Sequence, residues 1–279
     1  MSGALVSCLA GEVSAEVALA RLVLAGEAPE AVARRIAALP DGAVRERLLV
    51  LAGPAGARLR GLARLREAVP DHAESVGIAA IAAGFDRAVA AAPEASVAAY
   101  SLNDAGILAR ATAEVVAWLW REALVWEGAA VLDLGCGTGR VAAALAARVG
   151  AVLGLDVSAG MVAEARRRHG GMEGLRFAVT DGEGLGGLPE VGFDLVLAVD
   201  SFPYLMLAGR GVAERHVADA ARVLRAGGAL AVLNLSYRGD GVADVADARG
   251  WAARFGFRLT HAGVRPFALW DGAAFVFRR

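Results

Sequence analysis

The stretch Val131-Leu132-Asp133-Leu134-Gly135-Cys136-Gly137-Thr138-Gly139-Arg140 constrains the fold more than any other part of the chain. A short apolar run ends in glycines at alternate positions and passes into an alanine-rich segment through Arg148. It reads as a buried strand, a tight turn and a helix. Glycine lets backbone approach a ligand that a side chain would block. The first turn of the following helix directs its free N–H groups at whatever occupies the turn. A dinucleotide-binding turn has the spacing G-x-G-x-x-G; here it is G-x-G-x-G, with Asp133 just ahead of it.

Downstream of Gly128 the pattern alternates between strand and helix. Apolar runs at 130–134, 151–155, 175–179, 194–199 and 228–235 predict five strands. They are near-continuous rather than alternating, as parallel strands covered on both faces are. Helices are expected at 141–149, 160–169 and 213–224, and a terminal hairpin from Phe257–Val264 and Ala273–Phe277 around Trp270-Asp271-Gly272. This is a doubly wound α/β order.

Upstream, the chain reads as helix after helix. Ser14 caps a segment to Leu24 that Gly26 stops. Pro29 opens a second that Pro40 ends. A third covers Val44 to Leu51, a stripe of Leu59, Leu62, Leu65 and Val69 marks a fourth, and Asp71 to Ala91 a fifth. Ile107 to Trp126 makes one more strong helix. The expected division is a helical N-terminal region at 1–95 and an α/β domain at 96–279.

Composition narrows the function classes. Hydrophobic residues make up 57% of the chain, but the excess is largely alanine and no window of 18 residues lacks a charge, so no membrane span is expected. No signal peptide is evident. Cys8 and Cys136 form no disulfide framework, which suits the cytoplasm. The net charge of −1 argues against a nucleic-acid partner. The spacing of His, Cys, Asp and Glu predicts no metal site.

Asp133-Leu-Gly-Cys-Gly-Thr-Gly139 resembles the first motif of class I S-adenosylmethionine-dependent methyltransferases. The resemblance runs from about Gly128 to Arg279. It implies a Rossmann-like seven-stranded sheet of order 3-2-1-4-5-7-6 with an antiparallel last strand, and S-adenosyl-L-methionine as cofactor. An acid beside the loop suits an ammonium and a sulfonium better than a pyrophosphate. Other stretches stand where the family needs them. Asp156 ends the second strand 21 positions after Gly135, where a carboxylate accepts hydrogen bonds from two ribose hydroxyls. Val157 and Met161 follow, Met161 near the adenine face. Asp181, with Gly182, matches the acid that accepts from the adenine amino group. Val199 and Asp200 close the fourth strand beside the crevice. The resemblance thus assigns the cofactor to Asp133, Gly135, Cys136, Gly137, Gly139, Asp156, Val157, Met161, Asp181, Gly182, Val199 and Asp200. Before the fifth strand, Ala226 replaces the family's usual proline, a change that touches a turn and not chemistry.

A general base is needed only if the methyl acceptor must lose a proton; the candidates are Asp200, Tyr204, His216 and Tyr237. Asp200-Ser-Phe-Pro-Tyr204 stands where amine-methylating relatives often carry Asn/Asp-Pro-Pro-Tyr/Phe, and departs from it at two places, so it does not single out an amine. Tyr100, Asn234 and Arg238 are expected at the crevice edges. Cys136 reads as a small loop residue rather than a nucleophile. The expected activity is methyl transfer to oxygen or nitrogen of a small molecule by a monomer or homodimer, with the helical region as lid or substrate cap. A tRNA or protein acceptor, or a non-catalytic S-adenosylmethionine-binding protein, are the alternatives.

Overall fold

The computed structural model describes residues 3–68 and 76–279. The chain divides into two compact units that interleave in sequence. The first contains residues 3–68, Arg87–Ala111 and Phe267–Asp271; the second contains 76–86, Thr112–Pro266 and Gly272–Arg279. The division therefore does not fall at residue 95.

The first unit is built of α1 (Gly3–Leu9), α2 (Ala15–Leu24), α3 (Pro29–Ala37), α4 (Ala43–Ala52), a 3-10 turn at Pro54–Leu59, α5 (Arg60–Ala68), the end of α6 (Ile78–Ala91), α7 (Pro93–Val97) and the start of α8 (Ala105–Arg121). Ser14 caps α2 as expected, its Oγ accepting from Val17 N–H at 3.1 Å. Leu5, Leu19, Leu22, Val32, Ile36, Leu48 and Leu62 form the core. One contact is so tight that only glycine fits. A Cβ on Gly56, which has φ +72°, would lie 2.3 Å from the Pro29 carbonyl oxygen. The distant segment Phe267–Asp271 joins these helices through aromatic stacking. Trp270 stacks on Phe267 at 5.4 Å and on Tyr100 at 5.9 Å. Tyr100 is thereby buried in this unit rather than standing free at a crevice edge. Helix α6 begins at Ile78; the expected start at Asp71, together with Val69 and His72, lies outside the described residues.

The second unit carries a seven-stranded sheet among the described residues: β1 (Ala130–Leu134), β2 (Ala151–Asp156), β3 (Leu175–Val179), β4 (Phe193–Val199), β5 (Leu224–Leu233), β6 (Arg258–Val264) and β7 (Ala274–Arg278). Their order is β3-β2-β1-β4-β5-β7-β6, with β7 antiparallel to both of its neighbours. Both the order and the terminal hairpin match the sequence-based expectation. The helices are α9 (Arg140–Ala146), α10 (Ala159–His169), α11 (Phe202–Ala208), α12 (Arg210–Val223) and α13 (Gly241–Phe255). One sheet face, carrying Leu132, Leu134, Val196, Ala198, Leu230 and Val232, packs into a core with Phe202, Val217, Trp251 and Phe275. Strand alternation puts Asp133 and its register partner Gly154, and then Asp156, on the other face. β1 lies between β2 and β4 and is parallel to both, so the order in which strands are added reverses at β1 and opens a crevice at the strands' carboxyl ends.

Candidate functional site

The glycine turn folds over the end of β2. The N–H groups of Gly135 and Cys136 both donate to the Leu155 carbonyl, at 2.7 and 2.9 Å. Gly135, Gly137 and Gly139 all take positive φ. Gly135 passes so close to the start of α11 that a Cβ there would lie 2.3 Å from the Ser201 Cβ. At Gly139 an added Cβ would meet the Phe177 ring at 2.6 Å. The Cys136 side chain fills the space over Gly154. Burial and the charges of Asp133 and Asp156 push its thiol well above the usual range, which removes it as a nucleophile.

Asp156 clamps this turn to the next helix. Its Oδ2 accepts from Gly137 N–H and its Oδ1 from Ser158 N–H, both at 2.9 Å. A carboxylate keeps further lone pairs for ligand hydroxyls. Asp133 is 2% exposed and Asp156 8%. Burial raises Asp133 to about 7, Arg140 pulling it down and Asp156 pushing it up. Burial likewise raises Asp156 to about 6, partly offset by the N–H groups it accepts from. Two acids side by side thus resist ionising together. The Thr138 hydroxyl in the same turn is buried with no hydrogen-bond partner. A cationic ligand with hydroxyl groups fits this donor set, and the cofactor implied by the sequence is such a ligand.

The remaining cofactor candidates divide. Val157 and Gly182 meet: a Cβ on Gly182 would lie 2.6 Å from the Val157 Cγ1. Asp181 is exposed, and its Oδ1 accepts from Glu183 N–H at 2.9 Å. It lines a cleft of about 660 Å³ with Leu155, Val179 and Arg215. Met161 departs from expectation. The Ser158 cap turns it inward, and at 1% exposure it offers no surface to an adenine.

At the ends of β4 and β5 lies a polar cluster. Asp200 and Asn234 both hold positive φ, 57° and 73°, a conformation that Asp and Asn tolerate better than other residues with side chains. Asn234 Nδ2 donates to Asp200 Oδ1 at 2.8 Å. Tyr237 hydrogen-bonds both Asp200 and Tyr204 through its hydroxyl. The two rings meet edge-on at 5.5 Å. Desolvation first, then the Asp200 charge, raises both phenols far above their ordinary value. They therefore stay protonated and act as hydrogen-bond donors rather than bases. Val199, half-buried, leads into this cluster.

His216 is not part of it. It lies at 2% exposure on the inner side of α12, its Nδ1 on the Val212 carbonyl at 2.9 Å. Its charged neighbours are Asp219, Arg215 and Asp181, and burial lowers its proton affinity. The helix phase that buries it removes it from the base candidates. Arg238 is likewise committed, pairing with Asp244 at 2.7 Å and Asp247 at 2.8 Å on α13.

Comparison with known proteins agrees with this geometry. Residues 131–228 match the family model described as a methyltransferase domain. The match runs from β1 into β5. The demethylmenaquinone methyltransferase of Tropheryma whipplei is 33% identical over 123 residues, which is 42% of this chain and 48% of that protein. The chain thus spans about half the length of the curated relative it matches. A methyltransferase solved in complex with the Haloferax volcanii Trm112 methyltransferase activator superposes with a TM-score of 0.53 at 21% identity, over 70% of this chain and 96% of its own. That likeness shows the fold.

Sequence reading of the methyltransferase domain missed Phe85, Asp86 and Ser158, which the structure brings to its edge. Ser158 was readable as a helix cap ahead of Met161. Nothing local signalled Asp86, 72 positions before the Ser158 it bonds.

Proposed function

We propose that the protein transfers a methyl group from S-adenosyl-L-methionine to oxygen or nitrogen of a small molecule. The observation that carries this is the buried pair Asp133 and Asp156 beneath the glycine turn. Two acids without enough cationic partners favour a ligand bearing positive charge. In this reading Asp156 holds the ribose hydroxyls, Asp133 lies toward the charged amino-acid end, and Asp181 meets the adenine. The relative's name, demethylmenaquinone methyltransferase, supports a small-molecule acceptor.

When bound, the cofactor supplies a methyl group on a sulfonium, electrophilic without further activation. The chain's residues have three tasks. The turn and the two carboxylates fix the donor. Tyr204 donates a hydrogen bond to the acceptor and orients its nucleophilic atom, Tyr237 holds Tyr204 and Asp200 in place through its hydroxyl, and positioning of this kind is worth several powers of ten. Asp200, held by Asn234, takes the proton the acceptor loses. A role in choosing the acceptor is proposed for the helical region 1–95, whose alanine-rich segments favour a compact, partly apolar molecule.

The test is to incubate the protein with isotopically labelled methyl donor and fractionated metabolite pools, reading which product gains mass. The reading predicts a small-molecule product and S-adenosylhomocysteine in equal amounts, both lost in Asp200→Ala. Label appearing only in tRNA or protein would overturn the acceptor class, and donor binding without turnover would overturn the catalytic reading.

A further inference from the structure

Helix α6 lies outside the stretch that resembles the methyltransferase family, yet its first half packs with the sheet unit. Ile78, Phe85 and Asp86 share one helix face at i, i+7 and i+8. The Phe85 ring stands edge-on to Tyr204 at 4.8 Å. Gly182 passes under Ile78, where an added Cβ would lie 2.9 Å from Ile78 Cγ2. Just ahead of the helix, Val76 N–H donates to the Leu207 carbonyl of α11 at 3.2 Å. These contacts fix the helix where its last residue in the sheet unit, Asp86, meets the start of α10.

There Asp86 Oδ1 accepts twice, from the Ser158 hydroxyl at 2.6 Å and from Gly160 N–H at 2.8 Å. Ser158 is the α10 cap; its Oγ accepts from Met161 N–H at 3.0 Å and its own N–H donates to Asp156. The connection is continuous: Asp86, Ser158, Asp156, Gly137. A carboxylate at a helix N-terminus is favourable in itself. This one also fixes the rotamer of the cap that orients Asp156. It does so at an electrostatic cost, because its charge adds to what burial already does to Asp156. A purely stabilising cap has no reason to stand beside the buried Asp156.

We propose that Asp86 is a positioning residue for the methyl donor: through Ser158 it holds Asp156 in the orientation that grips the ribose. The proposal rests on the ribose reading of Asp156.

Calorimetric titration of S-adenosylmethionine into the parent protein and into Asp86→Ala, Asp86→Asn and Asp156→Ala, each checked by thermal unfolding, tests it. Asp86→Ala is expected to weaken donor binding roughly tenfold, the size of a lost hydrogen bond to a charged acceptor. Asp86→Asn keeps an Oδ1 that accepts both bonds, and is expected to bind within about twofold of the parent. With an acceptor in hand, Asp86→Ala raises KM for the donor and leaves kcat at saturation unchanged. Affinity in Asp86→Ala equal to the parent, with Asp156→Ala weakened, would overturn the Asp86 proposal alone. So would an Asn variant no better than Ala. Full affinity in Asp156→Ala would instead overturn the ribose reading, and the Asp86 proposal with it.

Discussion

Asp133 and Asp156 bind protons more tightly folded than unfolded, at about 7 and about 6. The sign of the consequence is fixed. A carboxyl raised on folding contributes stability that is full below its unfolded value near 4 and is lost as pH rises through the folded value. The protein without cofactor is therefore expected to lose stability between about pH 4 and 7, by up to roughly 1.4 kcal/mol per pH unit for each group. Asp133→Asn, which has no proton to lose, should flatten that slope in thermal unfolding. Added S-adenosylmethionine should raise Tm more at pH 8 than at pH 5; a larger gain at pH 5 would contradict the cation argument. At the acceptor end, removal of a general base costs roughly 10²–10⁴ in rate. Asp200→Asn is expected to lose kcat on that scale with little change in donor affinity. Tyr204→Phe and Tyr237→Phe should lose less, because their phenols donate hydrogen bonds and transfer no proton.

The glycine turn and the strands flanking it are elements whose geometry the sequence declares. β1, β2 and β4 are largely buried apolar runs with glycine or acid at their ends, the pattern of parallel strands covered on both faces. Asp156 was legible because one β-α-β step fixes its register against Gly135. Other elements were hidden for physical reasons. β5 starts at Leu224, ahead of Arg225-Ala226-Gly227, because an irregularity in its pairing with β4 accommodates residues that read as a turn. α11 begins inside Ser201-Phe202-Pro203, where Pro203 sits in the first turn and Ser201 makes no side-chain cap, so no capping pattern marks the helix start. α13 was unread although Asp240 caps it, accepting from Ala243 N–H at 2.9 Å, and Gly256 ends it in a left-handed conformation. Its buried Trp251 packs on Phe202 at 5.9 Å. Trp251→Ala is therefore expected to cost roughly 3–5 kcal/mol in denaturant unfolding. A change under 1 kcal/mol would mean α13 is not part of the core. In the turn itself, Gly135→Ala has neither the φ nor the space it needs. It should abolish donor binding in calorimetry while the far-UV spectrum of the fold persists.

The whole molecule could not be divided from the sequence alone. Periodicity marks helices but not the partners they choose. Half of α6 and the segment Phe267–Asp271 each join the unit that their neighbours in sequence do not. Tyr100 and Trp270 stack across 170 positions of chain, a contact no local pattern announces. His216 misled for a related reason: a residue type says nothing of which helix face it occupies. The strand order was readable because a family motif carries it. The acceptor's identity was not, because it depends on side chains gathered from several elements. The most direct measurement of the central claim is donor affinity against pH. Calorimetric titration of S-adenosylmethionine from pH 5 to 8 should show binding that tightens as Asp156 and Asp133 ionise near 6 and 7. In Asp156→Asn it should be weaker and flatter, and NAD and ATP should not saturate the site. Affinity independent of pH in the parent protein, or a nucleotide phosphate binding in the turn more tightly than the methyl donor, would contradict it.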